Sequence, residues 1–269
     1  MKKDTAIIYI LIIIVVLAFT ACKKNMEDCE PTTPGKPPVD SAATCRIEQI
    51  SGRGDEDDYL IANFQYNGHN NPVSVKYVDN LDYSRFFKYD DKQRLIGYER
   101  TSNYADSTSF ITWHKYVYVS DSLIVDSVFN YGTGWPGDRP TTYGSVNLIE
   151  YQLDNKGRVV AKKDYKPDGT FTTQQYEYNL AGNQPSGYPP TYPYLLGVKN
   201  IRKTNKVWQF LDLNYSENPL AIETGAVNEQ GYPTSWYLDA GVQPLLGFAP
   251  NGEPAYITYA CKEINPGSK

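Results

Sequence analysis

The residues of this 269-residue chain that could do chemistry are few and scattered. His114 stands beside Trp113 in an alternating stretch, His69 sits in an Asn-Gly turn, and there are no other histidines. A histidine base needs a nucleophile and an orienting acid within hydrogen-bond reach. Neither Gly-x-Ser-x-Gly nor His-Glu-x-x-His occurs, so the sequence names no partner for either ring. Glycoside hydrolysis needs a facing pair of carboxylates. The 31 Asp and Glu residues are abundant, and nothing in their spacing singles out a pair. Gly132-Thr133-Gly134-Trp135-Pro136-Gly137 spells Gly-x-Gly-x-x-Gly, but a dinucleotide site needs a helix to start there. Pro136 and Pro140 interrupt and no helical pattern follows, so the stretch reads as a glycine-rich hairpin loop. Asp55-Glu56-Asp57-Asp58 lacks the spaced ligands and central glycine of a calcium loop and reads as a solvated acidic turn. With no Cys-x-x-Cys and isolated histidines, zinc is not expected. The expectation is a protein that is not an enzyme, with no catalytic residues, no cofactor and no metal.

Aromatic side chains are the better ligand-binding candidates. Trp135 lies in the loop-like stretch 131–143. Tyr188, Tyr192 and Tyr194 fall in Tyr-Pro-Pro-Thr-Tyr-Pro-Tyr, a run that proline keeps extended. Exposed aromatics stack on sugars or anchor a protein partner. The alternative for each, as for Trp208 and Trp236 in strand-like stretches, is packing against the fold.

The elements that must carry these residues have a period of two. Apolar and polar residues alternate over 59–66, 73–78, 85–90, 110–119, 122–129, 147–153, 158–165 and 171–178. The same reading gives strands at 198–202, 207–213, 235–238 and 255–260. No stretch of 11 or more residues in 45–263 has apolar spacing at i, i+3, i+4 and i+7, so helices should be scarce. Tyrosine, at 24 residues against 9 Phe, suits a pleated face that is apolar at its base and wet at its tip. That predicts a thin sheet with much exposed face. The expected fold class is all-β: an antiparallel hairpin-repeat meander forming a long rolled sheet or open barrel.

The N-terminus sets the compartment. Two lysines precede an apolar run over 6–19, about 21 Å as a helix and short of the ~20 residues of a membrane span. This is the pattern of a signal peptide over 1–21. Thr20-Ala21-Cys22 resembles the lipobox of bacterial lipoproteins, although Phe19 replaces its usual leucine. The resemblance implies cleavage before Cys22 and lipidation of that residue; an uncleaved membrane anchor is the alternative. Either way the domain is tethered to a membrane outside the cytoplasm. Cleavage removes Lys2, Lys3 and Asp4, taking the net charge from −5 to −5 − 1 = −6. Such a chain has no electrostatic footprint for nucleic acid, and no basic patch for a bilayer. Residues 22–44, rich in Pro, Thr, Ser and charge, read as a disordered tether, and 264–269 as a disordered tail. Glu27-Asp28 resembles the surface-export signal of Bacteroidetes lipoproteins.

Cys45 opens the folded region and Cys261 almost closes it. An oxidising compartment allows a disulfide between them. Closing a ~215-residue loop would stabilise by about 4–5 kcal/mol in the chain-entropy model. Cys29 could compete, and two buried free thiols are the alternative.

Strand-to-turn junctions repeat. Phe64-Gln65-Tyr66-Asn67, Phe87-Lys88-Tyr89-Asp90, Tyr151-Gln152-Leu153-Asp154, Tyr176-Glu177-Tyr178-Asn179 and Leu211-Asp212-Leu213-Asn214 share the form aromatic or Leu, any residue, Tyr or Leu, Asp or Asn. Polar residues, a Gly or Asn and a fresh apolar run follow. Asp or Asn caps the turn, Gly or Asn takes positive φ, and the apolar residue restarts the return strand. Spacing is irregular, roughly 23 to 60 residues, so each unit is a hairpin with variable loops. This resembles the YD repeat of bacterial surface and toxin-shell proteins, and Bacteroidetes lipoproteins of unknown function with degenerate YD (RHS-like) repeats. The resemblance implies successive antiparallel hairpins as scaffolding. Asp40-Ser41-Ala42, Asp106-Ser107-Thr108, Asp121-Ser122-Leu123 and Asp126-Ser127-Val128 resemble the O-glycosylation motif of Bacteroidetes envelope proteins.

The functional expectation is an outer-membrane lipoprotein, periplasmic or surface-exposed, that binds a glycan or an envelope protein without catalysis. Alternatives are an assembly subunit of an envelope complex and, third, a glycan-active hydrolase.

Overall fold

The computed structural model describes residues 44–53, 59–78, 84–101, 109–134, 140–184, 193–221, 225–236 and 254–262. The expected signal peptide, Cys22, Cys29, residues 23–43 of the expected tether, the 55–58 acidic run, Trp135, Tyr188 and Tyr192 lie outside them, while Thr44, the last residue of that expected tether, is strand.

Alternation becomes strand as the sequence predicts. β1 (Thr44–Arg53), β2 (Tyr59–Tyr66), β3 (Pro72–Tyr77), β4 (Arg85–Tyr89), β5 (Leu95–Thr101) and β6 (Ser109–Ser120) follow one another along the chain. β7 (Leu123–Thr133), β8 (Thr142–Leu153), β9 (Val159–Tyr165), β10 (Phe171–Gln175), β11 (Ser235–Trp236) and β12 (Ala255–Lys262) complete the set. All pair antiparallel in one 12-stranded sheet, in the order β10-β9-β8-β7-β6-β5-β4-β3-β2-β1-β12-β11. The sheet is an open meander from β1 to β10; β12 departs from chain order by adding beside β1, and β11 pairs with β12 beyond it. There Cys45 and Cys261 face each other in register and are joined by a disulfide, with Cα atoms 4.0 Å apart.

Strands were too generous a reading of the C-terminal third. Residues 201–204 form a 3-10 helix and α1 spans Lys206–Leu211. Asn200 and Asn205 cap these two turns, each accepting a hydrogen bond from the N–H two residues on, at 3.0 and 2.9 Å. Val207, Trp208, Phe210 and Leu211 are apolar in a run too short to show helical periodicity.

α1 supplies the core. Trp208 is completely buried, edge-on to Phe64 and Phe87 with centroids 5.5 Å away. Phe210 meets Tyr116 and Tyr151 at 5.2 and 5.1 Å. One sheet face is thus covered by residues that follow β10, which explains how a tyrosine-rich sheet buries an apolar centre. Buried Arg202 donates to Asp212 at 2.6 Å within the covering segment and lies over Trp236 of β11. No helix among the described residues is long and apolar enough to cross a membrane.

Candidate functional site

Six turns among the described residues share one hydrogen-bond pattern. Over 67–71, 90–94, 154–158, 166–170, 179–183 and 228–232, the first N–H donates to the fifth carbonyl. The fourth N–H donates back to the first carbonyl. The fourth residue has positive φ every time: 63° at Asn70, 60° at Gln93, and 75° to 84° at Gly157, Gly169, Gly182 and Gly231. Oδ1 of Asn67, Asp90, Asp154 and Asn228 accepts the N–H of the third and fifth residues at 2.8–3.1 Å. Position one is Asp or Asn in five of the six turns, with Lys166 the exception, and a left-handed residue at position four is common to all. The strand register slips beside three of these turns, at Gln65/Tyr66, Lys88/Tyr89 and Gln152/Leu153, and again at Tyr118/Ser120 beside the tighter β6–β7 turn. Bulges of this kind bend and twist a strand, here at the same end of the sheet.

Two turns, Asp90-Asp91-Lys92-Gln93-Arg94 and Asp154-Asn155-Lys156-Gly157-Arg158, carry charge in the same order. Arg94 Nε donates to Asp90 Oδ2 at 2.8 Å, and Nη2 lies 2.7 Å from the same oxygen. Arg158 repeats both distances to Asp154. Each guanidinium then covers a tyrosine of a later segment, Arg94 over Tyr118 at 4.4 Å and Arg158 over Tyr178 at 3.9 Å. Hydrogen bonds from Arg94 hold the Asp90 carboxyl below the usual aspartate range. At Asp154 burial works the other way, and the bonds from Arg158 and Lys156 outweigh it to the same net effect. Tyr89 and Tyr178 hydroxyls donate to the carbonyls of Pro72 and Val159, the residue just after a turn, at 2.7 and 3.0 Å.

In a meander, alternate turns fall at one end, so 67–71, 90–94 and 154–158 form a row. The covering segment faces that row: Asn205 Nδ2 donates to the Asn70 carbonyl at 2.9 Å. Gly182, in the turn after β10, lies so close to Glu217 that an added Cβ would fall 2.7 Å from its Cγ. Between row and segment lies a cleft of about 610 Å³. Its walls include Tyr89, Leu95, Tyr118, Ile124 and Phe210; its charges are Lys92, Arg94, Lys156, Arg158, Lys203 and Lys206. Glu217 is the one acid among the lining residues, and it pairs with Lys203. The sequence reading did not find this cleft. Its available signal was the Asp-x-Lys-x-Arg pattern repeated at 90–94 and 154–158.

Elsewhere, His114 does not stand alone: Nδ1 lies 2.8 Å from Oδ2 of Asp126, a completely buried carboxylate across the β6–β7 hairpin. Tyr98 and Tyr116 flank the ring. Burial, then the charge of Asp126, pushes the Tyr116 and Tyr151 phenols up. On β5, buried Glu99 lines a groove of about 310 Å³ with Trp113 and Phe86. Burial pushes its carboxyl up to about 7.

Of the aromatic candidates, Tyr194 is half-buried, and its hydroxyl donates to the Gln184 carbonyl beside Ser216. Tyr131 and Tyr143, which bracket the Trp135 loop, are 73% and 50% exposed, at the opposite end of β7 and β8 from the turn row. Trp236 is buried on β11. Gly132 and Thr133 end β7, paired with Tyr143 and Thr142 of β8, and Trp135-Pro136-Gly137 lie outside the described residues. Among the described residues no group of three or more His, Cys, Asp or Glu is placed to hold a metal. Comparison with known proteins matches this chain to no family model and to no curated protein.

Proposed function

We propose that this protein is a lipid-anchored, noncatalytic binding protein of the cell envelope that seats its ligand, a glycan before a protein, in the cationic cleft. The observation that carries this reading is the cleft itself. Its volume of about 610 Å³ lies within the roughly 300–1,000 Å³ typical of ligand sites, and convergent polar groups ring an aromatic wall. The two N-terminal lysines, the apolar run and Cys22 support the anchor and an outer-membrane placement. Recurrence of one turn geometry supports the likeness to YD repeats as scaffolding, on which the cleft is built from side chains the scaffold presents.

The test is a glycan array and an envelope pull-down, both with the full-length protein in detergent. Binding to a glycan set or recovery of one stoichiometric partner is expected; silence in both overturns the reading. Mass spectrometry should find an acylated N-terminal peptide beginning at Cys22, and an intact Met1 peptide would contradict the anchor. A second reading, an assembly subunit, is favoured by β10. All five of its residues are exposed, and among the described residues β9 alone pairs with it. Crosslinking on membranes would then capture a fixed neighbour.

A further inference from the structure

We propose that the cleft selects an acidic saccharide, a short chain of sugar rings bearing carboxylates or sulfates. This rests on the cleft being the ligand seat and adds the chemistry of what it takes. The first observation is charge. The chain is net negative at −5, yet this cleft gathers six cations and one acid, itself paired with Lys203. The amines of Lys92, Lys156 and Lys206 have no partner among the described residues. Arg94 and Arg158 each engage Nε and Nη2 on their aspartate, which leaves Nη1 for a ligand. Charge-assisted bonds to carboxylate or sulfate are the natural use of such donors.

The second observation separates a saccharide from an acidic peptide. Gln93 and Gln209 line the cleft, and both Gln93 Nε2 and the Gln209 amide are unpaired among the described residues. Side-chain amides both donate and accept, which suits ring hydroxyls. Half-buried Tyr89, Tyr118 and Phe210 offer apolar surface to the C–H faces of a ring. An extended peptide, in contrast, recognises a free strand edge through backbone bonds. The first, third, fourth and fifth N–H groups of the 90–94 and 154–158 turns are engaged within those turns.

Calorimetry on the full-length protein in detergent tests this with four probes: oligogalacturonate, chondroitin sulfate fragments, neutral dextrin oligosaccharides of matched length, and polyglutamate. One or both acidic saccharides should bind, at least tenfold tighter than dextrin, and weaken as salt rises; the uronate and sulfate arms identify the anion. Replacing Lys92, Lys156 and Lys206 together by Gln should weaken that binding about tenfold or more, at ordinary surface-pair strengths. All three are exposed, so circular dichroism should be unchanged, and exposed Lys115→Gln on β6, which does not line the cleft, should leave binding intact. Dextrin binding as tightly as the acidic chains overturns the inference and leaves the ligand seat standing. Polyglutamate binding more tightly than either overturns it in favour of an acidic peptide. No binding of any probe overturns the inference, and the glycan array and pull-down then decide whether the ligand seat stands.

Discussion

Asp154 is the sharpest test of the turn chemistry. Its Oδ1 accepts the N–H of Lys156 and of Arg158 at 2.9 Å each, and its Oδ2 holds Arg158 at 2.7–2.8 Å. Asp154→Ala removes all of these at once. Loss of a capping acceptor costs about 1 kcal/mol. The partly exposed ion pair, its side chains 22% and 18% accessible, adds about 0.5–1 kcal/mol. Release of Arg158 from Tyr178 adds about 0.5–1 kcal/mol. The sum is about 2–3 kcal/mol. Asp154→Asn keeps the acceptor and loses the charge, for about 1 kcal/mol. Asp168→Ala, in a turn where the aspartate bonds only Thr170, should cost less than either. The assay is urea unfolding of the oxidised full-length protein at pH 7, followed by tyrosine and tryptophan fluorescence. Because the folded carboxyl titrates below its ordinary value, its contribution is present above the normal aspartate range and is lost as pH falls through the folded pKa. The gap between wild type and Asp154→Ala should therefore narrow below about pH 4. An Ala variant within about 0.5 kcal/mol of wild type would refute the reasoning. So would an Asn variant as damaged as Ala, or a gap unchanged at pH 3.

Three further outcomes follow from the packing. Replacing Cys45 and Cys261 by Ala should lower stability by about 3–5 kcal/mol in urea unfolding, because the bridge closes a loop spanning 216 residues. Trp208→Ala should cost about 3–5 kcal/mol and collapse the near-UV circular dichroism, since the ring is fully buried between Phe64 and Phe87. Glu99 keeps its proton in the folded chain up to about pH 7, against an ordinary value of 4.5, so stability falls as pH rises between the two. Glu99→Gln should then stabilise by roughly 1–3 kcal/mol at pH 8 and by little at pH 4, read as the difference between two urea midpoints.

Much of the fold was legible because it is local. A turn whose first side chain bonds its own third and fifth N–H groups, and whose fourth residue takes positive φ, is written in five consecutive residues. The meander follows from placing such turns between alternating strands. α1 was not legible: six residues cannot display a 3.6-residue period, and Trp208-Gln209-Phe210 mimics strand alternation. The junction around 211–214, aligned with the others by sequence, closes a helix, and the Asn214 side chain accepts only the N–H of Ser216 among the described residues. The His114–Asp126 pair was hidden because its members meet only across the β6–β7 register. The cleft was hidden for the same reason on a larger scale. Lys92, Lys156 and Lys206 are separated by more than 40 residues each, in an acidic chain, and topology alone collects them.

Lysine footprinting asks most directly whether those three amines share one ligand. The full-length protein is acetylated with and without saturating oligogalacturonate or chondroitin sulfate, whichever binds, and each lysine is read by mass spectrometry. Lys92, Lys156 and Lys206 should be protected together, while Lys76 and Lys115 react at unchanged rates. Protection elsewhere, or unchanged modification of the three at saturation, would contradict the placement of the ligand in the cleft.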